Sequence, residues 1–212
     1  MTILEQFERV SFCLSRRGPA PEGVLTLAEL IDLSTRGNVL YDPHSVLISA
    51  RAVIGRDNVF FPGVYLFCTE GGTLEVGNGN TFHANTLIEA THGAIRIGSR
   101  NQFGEGGFTA KANRQAAAIS IGDEGRYLNG AGVFDETTLG SGSQLLGLIT
   151  VDNCTLAAGG SFREPDLDRR AGLLKGAGGA RNLTVPIGHV GVGAGSFSAA
   201  DLQPQSNFHA KV

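Results

Sequence analysis

The sequence predicts an all-β fold, a stack of coils with three short sides each, joined by parallel ladders. Three observations carry this. Five segments align without gaps: IGRDNVFF from Ile54, VGNGNTFH from Val76, IGSRNQFG from Ile97, IGDEGRYL from Ile121 and LGSGSQLL from Leu139. Apolar residues then recur every six positions within each unit. The first column is Ile54, Val76, Ile97, Ile121 and Leu139; the second is Phe60, Phe82, Phe103, Tyr127 and Leu145; the third is Leu66, Ile88, Thr109, Val133 and Val151. A period of six fits neither a 3.6-residue helix nor an alternating strand, but three sides of six give the 18-residue spacing of the last two units. Finally, glycine makes up 31 of 212 residues, roughly twice ordinary usage, as a chain with many tight corners requires.

The elements follow in order. Residues 1–25 show no period, and 1–37 form an N-terminal cap. Within it Thr26-Leu27-Ala28-Glu29 is a capping box, followed by Leu30 and Ile31 and closed by Gly37. This predicts a short helix over 27–35 that covers the open edge of the first coil. The coils occupy 38–162. Their starts lie 22, 21, 24 and 18 residues apart, so the longer ones hold 4, 3 and 6 extra residues. These fall after the third column, as FCTEGG, EATHG and AKANRQAAA, and predict a protruding rim along one edge. Asn58, Asn80 and Asn101, then Gly125 and Ser143, stand two residues before the second column, where stacked amides can form a ladder. Gly63, Asn85, Gly106 and Gly130 stand three residues after it, and these types tolerate positive φ at a corner. Residues 163–181 break the repeat as a charged loop. Residues 182–212 hold NLTVPIGHVGVGAGSF, an irregular final coil, and a tail from Ser198 without pattern.

The repeated units, with flanks such as TLEVGNGNTF and AIRIGSRNQF, resemble the hexapeptide-repeat family over about residues 38–160. The resemblance implies a left-handed parallel β-helix. The family includes acyltransferases of lipid A synthesis, sugar and antibiotic acetyltransferases, gamma-class carbonic anhydrases and the small pointed-end subunits of dynactin. One scaffold thus serves several chemistries. The resemblance also implies a homotrimer.

Composition narrows the partners. The net charge of −3 supplies no basic field for nucleic acid. No apolar run reaches the roughly 18 residues of a membrane span, and the start MTILEQFER lacks the order of a secretory signal. Cys13, Cys68 and Cys154 are odd in number and far apart, which argues against a disulfide framework and for a cytoplasmic setting.

Two groups of residues are candidates for chemistry. Glu70, His92 and Asn113 stand four residues past the third column. A carboxylate beside an imidazole orients it as a general base. TLIEATHG resembles the T-A-T-H segment of maltose- and galactoside-type acetyltransferases, which places His92 as the base, with Glu70 orienting it. Here, however, Ala94-Ile95-Arg96-Ile97 returns at once to the coil. The second group is Arg163, Arg169, Arg170, Lys175 and Arg181, diluted by Glu164, Asp166 and Asp168. Of these, Arg169, Arg170, Lys175 and Arg181 are the candidate anion site. No metal site is expected: His44, His83, His92, His189 and His209 lack the five-residue spacing of the gamma-class enzymes, and the G-N-P-A-K coenzyme A signature is missing. The favoured function is a non-catalytic binding or assembly protein acting through faces and ends, without cofactor and with a possible protein partner. The alternative is a divergent acyltransferase using His92 and a coenzyme A thioester.

Overall fold

The computed structural model describes residues 23–208. The expectations for residues 1–22, with Cys13, and for His209 and the last three residues lie outside it.

Among the described residues one helix, α1 (Leu27–Ser34), precedes the coils, bounded as its capping box predicts. The Thr26 hydroxyl accepts the Glu29 N–H, and Glu29 accepts the Thr26 N–H at 2.7 Å. The bonds that its carboxyl accepts from the Thr26 N–H and the Thr26 hydroxyl hold Glu29 below its usual range. Leu30 and Leu33 face inward and join the core, so the helix closes the first coil.

From Val39 the chain winds as a parallel β-helix with three faces. The first face stacks Val39–Leu40, Val59–Phe60, Thr81–Phe82, Gln102–Gly104, Arg126–Leu128 and Gln144–Leu146. The second stacks Leu47–Ile48, Tyr65–Cys68, Thr86–Ala90, Phe108–Lys111, Ala131–Phe134 and Ile149–Asp152. The third runs from Val53–Ile54 through Thr73–Val76, Ala94–Ile97, Ala118–Ile121, Thr138–Leu139 and Thr155–Leu156 to Thr184–Val185. Every pairing within these faces is parallel. The first column is in register as expected and continues through Leu156 and Val185.

The interior is a set of ladders. Phe60 and Phe82 stack with centroids 5.2 Å apart, Phe82 and Phe103 at 5.0 Å, and Phe103 and Tyr127 at 5.4 Å. Beside them runs the amide ladder. Each Asn Oδ1 accepts both the backbone N–H and the side-chain amide of the next Asn, from Asn38 through Asn58 and Asn80 to Asn101, at 2.9–3.1 Å. Each amide from Asn58 on also donates across the corner, to Gly77, Gly98 and Gly122 carbonyls. The ladder ends at Gly125, whose N–H donates to Asn101. A Cβ on Gly125 would stand 2.1 Å from the Tyr127 hydroxyl. The tyrosine hydroxyl therefore fills the volume that an asparagine holds in earlier coils. It lies 3.0 Å from the Ser143 hydroxyl, and burial pushes its pKa up, so it remains a hydroxyl. Tyr127→Phe is expected to cost about 1–2 kcal/mol, read as a lower thermal midpoint; an unchanged midpoint would refute the bond's worth.

Two expectations are corrected. The third column contains Ala110, not Thr109: Ala110 pairs with Ile88 and Val133 and is fully buried, while Thr109 faces outward beside Leu87. The corner Gly104–Gly107 holds one more residue than its counterparts, with Gly104, Glu105, Gly106 and Gly107 all at positive φ. The corner column itself is as expected, Gly63, Asn85, Gly106 and Gly130 having φ of 77°, 63°, 101° and 86°. The charged loop is also shorter than 163–181, because Leu173–Arg181 is a strand. Its first half pairs with Gln144–Leu146 and its second with Ile149–Asp152, so it turns from the first face to the second without a break. Gly176 and Gly178 are the bend: a Cβ on either would stand 1.8 Å from the carbonyl oxygen of Gly193 or Gly195 in the last coil. The glycines that lower strand propensity are those that let neighbouring coils approach.

The final coil ends in strand His189–Phe197, and the tail then folds back. Leu202–Pro204 pairs antiparallel with His189–Gly191 and covers that part of the last strand's edge. Cys68 and Cys154 are buried free thiols. No helix among the described residues is long and apolar enough to cross a membrane.

Candidate functional site

The extended corners between the second and third faces form the expected rim. Glu70 and His92 come from neighbouring coils at one corner: Cys68 pairs with Ala90, and a Cβ on Gly71 would stand 3.7 Å from the His92 ring. They do not meet. The Glu70 carboxylate faces Arg51 at 3.6 Å, while the exposed His92 ring lies 3.2 Å from the Thr91 hydroxyl. Asn113 donates to Glu89 instead of joining them. An arginine carries its charge at every ordinary pH, whereas an imidazole does not, so Arg51 is the stronger attraction for Glu70. Arg51 stands in the preceding corner, outside the columns that single out the rim.

The basic residues divide. Arg181 pairs with Asp152 at 2.5 Å on the second face, and exposed Arg169 lies in the short 3-10 turn Leu167–Arg169. Arg170 and Lys175 instead line a cleft of about 380 Å³ over the first face. Its floor is the outward side of the last coils, with Gln144, Leu173 and Val190 in one register row and Leu146, Lys175 and Val192 in the next. The loop with Phe162 and Arg170 walls one side, and Gln205 and Phe208 of the tail wall another. The tail is held there by the Gln205 amide, which donates to the Ala171 and His189 carbonyls. The third cation of the cleft is Arg126, which has no place in the sequence-derived cluster. Its guanidinium lies over the Phe162 ring, 4.4 Å from the centroid. A proline-containing, charged stretch that interrupts a regular repeat is the signal for a covering loop; nothing in the sequence pairs it with Arg126.

No family model matches the chain, and neither does any curated protein. Among solved structures it is similar to LpxA from Acinetobacter baumannii, with a TM-score of 0.45 and 18% identity over 74% of this chain. The match spans 58% of the LpxA chain.

A third surface feature is an apolar edge. On either side of the corner between the first and second faces, outward residues of the early coils include a group of aromatic and aliphatic side chains, with Thr81 and Glu89 among them. Tyr41, Phe61 and His83 stack at 4.9 and 4.7 Å, and Tyr65 stacks on Phe67 at 5.6 Å, near Leu47 and Leu87. Tyr41 is 64% exposed and Leu47 40%. The third face differs, presenting Glu75, Arg96, Ser120, Thr138, Thr155 and Thr184 in its outward row.

Proposed function

We propose that this protein is a non-catalytic β-helix that assembles as a homotrimer and binds a protein partner through its remaining faces and ends. The apolar edge carries the reading. Aromatic side chains along the outside of the helix axis leave a largely apolar strip, edged by Glu89 and Glu105, and such strips mark association sites. Because the strip runs parallel to the axis, copies related by a cyclic rotation bring their strips together along their length. The number three comes from the resemblance to hexapeptide-repeat proteins.

Light scattering at micromolar concentration is expected to give about three times the 22.1 kDa chain mass. Phe61→Arg should shift it toward the single chain without unfolding, because Phe61 points outward. A mass of one chain for the unaltered protein would refute the assembly. Calorimetry with acetyl-coenzyme A tests the other reading. Saturable binding, together with acyl transfer that His92→Ala abolishes, would replace the binding protein with an acyltransferase.

A further inference from the structure

We propose that the cleft over the last coils of the first face is a binding site for a small organic phosphate that carries an apolar group. This does not depend on the assembly proposed above, which uses the early coils.

The charge of the cleft is one-sided. Arg126, Arg170 and Lys175 line it, no carboxylate does, and among the described residues none of the three is in an ion pair. Arg51, Arg96, Arg100, Arg114 and Arg181 each face a carboxylate, whereas the three cleft cations, like Arg36, Arg56, Lys111, Arg163 and Arg169, face none within ion-pair distance among the described residues; what sets the three apart is that they converge on one cleft. The acids of the covering loop, Glu164, Asp166 and Asp168, form no ion pair with these three cations among the described residues.

The polar groups are also incompletely used. The Arg126 Nε is buried without a hydrogen-bond partner among the described residues, an arrangement costly enough to be rare. Arg170 donates its Nε to the Glu164 carbonyl at 2.7 Å, which fixes the head and leaves its terminal nitrogens for another acceptor. On the floor, Gln144 lines the cleft in the register position next to Arg126. Phe162 lies between the Arg126 and Arg163 guanidiniums, 4.4 and 4.6 Å away, so the ring holds two like charges together. Two guanidiniums and an ammonium suit a tetrahedral dianion with several acceptor oxygens.

The remaining lining is apolar. Leu146, Leu173, Val190, Val192 and Phe208 form a surface beside the cations. The volume of about 380 Å³ lies at the lower end of small-molecule sites, which limits the ligand to a phosphate with a ring or short chain.

The test is calorimetric titration with phenyl phosphate, inorganic phosphate, phenol and benzoate at low salt. Phenyl phosphate is expected to bind one site per chain, about tenfold tighter than each of the other three. Lys175→Gln and Arg126→Gln should each weaken it about tenfold. Lys175 is exposed, so its variant keeps the fold and the test stands even if Arg126→Gln does not fold. Three results would overturn the proposal: inorganic phosphate binding as tightly as phenyl phosphate, benzoate doing so, or a folded Lys175→Gln protein that binds like the unaltered one.

Discussion

Phe82→Ala is expected to destabilise the protein by about 3–5 kcal/mol, the cost of truncating a buried aromatic and leaving a cavity. Phe82 is fully buried and stacks on both sides, on Phe60 at 5.2 Å with rings 2° from parallel and on Phe103 at 5.0 Å and 7°. Truncation therefore breaks two ring contacts and interrupts the ladder in the middle of the stack. The coils cannot collapse into the gap, because strand pairing on all three faces fixes their separation at the ladder spacing. In a solenoid each coil depends on its neighbours, so the break should also make unfolding less cooperative. Chemical denaturation followed by circular dichroism reads both effects. A midpoint equal to that of the unaltered protein would show that the aromatic ladder does not support the core.

The second large effect is expected at Asn80. Its Oδ1 accepts the Asn101 backbone N–H at 2.9 Å and the Asn101 amide at 3.0 Å. Its own amide donates to Asn58 and to the Gly98 carbonyl. Asn80→Leu keeps similar volume but removes all four bonds. The Asn101 N–H and the Gly98 carbonyl then lose their partners at a buried corner. The expected loss is about 1–3 kcal/mol per group left unsatisfied, so the variant should melt well below the unaltered protein. Equal melting temperatures would mean that the ladder contributes nothing.

Both predictions concern columns that were legible in the chain. A six-residue recurrence of apolar residues is a local, repeated signal, and each coil confirms the register of the one before. The asparagine column and the corner glycines were legible for the same reason: a side chain stacked on its own kind every coil leaves a repeated letter at a fixed offset. The capping box of α1 was readable because all its bonds lie within four residues. Where the repeat was broken, the reading slipped. Thr109 was placed inward because one residue was added at the Gly104–Gly107 corner, and side-chain alternation turns a one-residue insertion into an exchange of inside for outside. The pattern reads Leu173–Arg181 as a loop because its glycines hide a strand whose pairing partners lie 29 residues earlier.

The sequence by itself determined the three-sided coil, its inward columns, the helix that begins it and the edge where the long corners protrude, since each follows from spacing along the chain. Only the tertiary structure decided which charges meet. Glu70 faces Arg51 and not His92, and Arg126 joins Arg170 and Lys175 in one cleft although 44 residues separate the two arginines. The physical reason is that outward side chains are free of the repeat. Stacking constrains what lies inside a coil, while the outer surface is set by where interrupting loops and the tail come to rest. Those segments carry no period, so their docking over the first face depends on packing that distant residues create together.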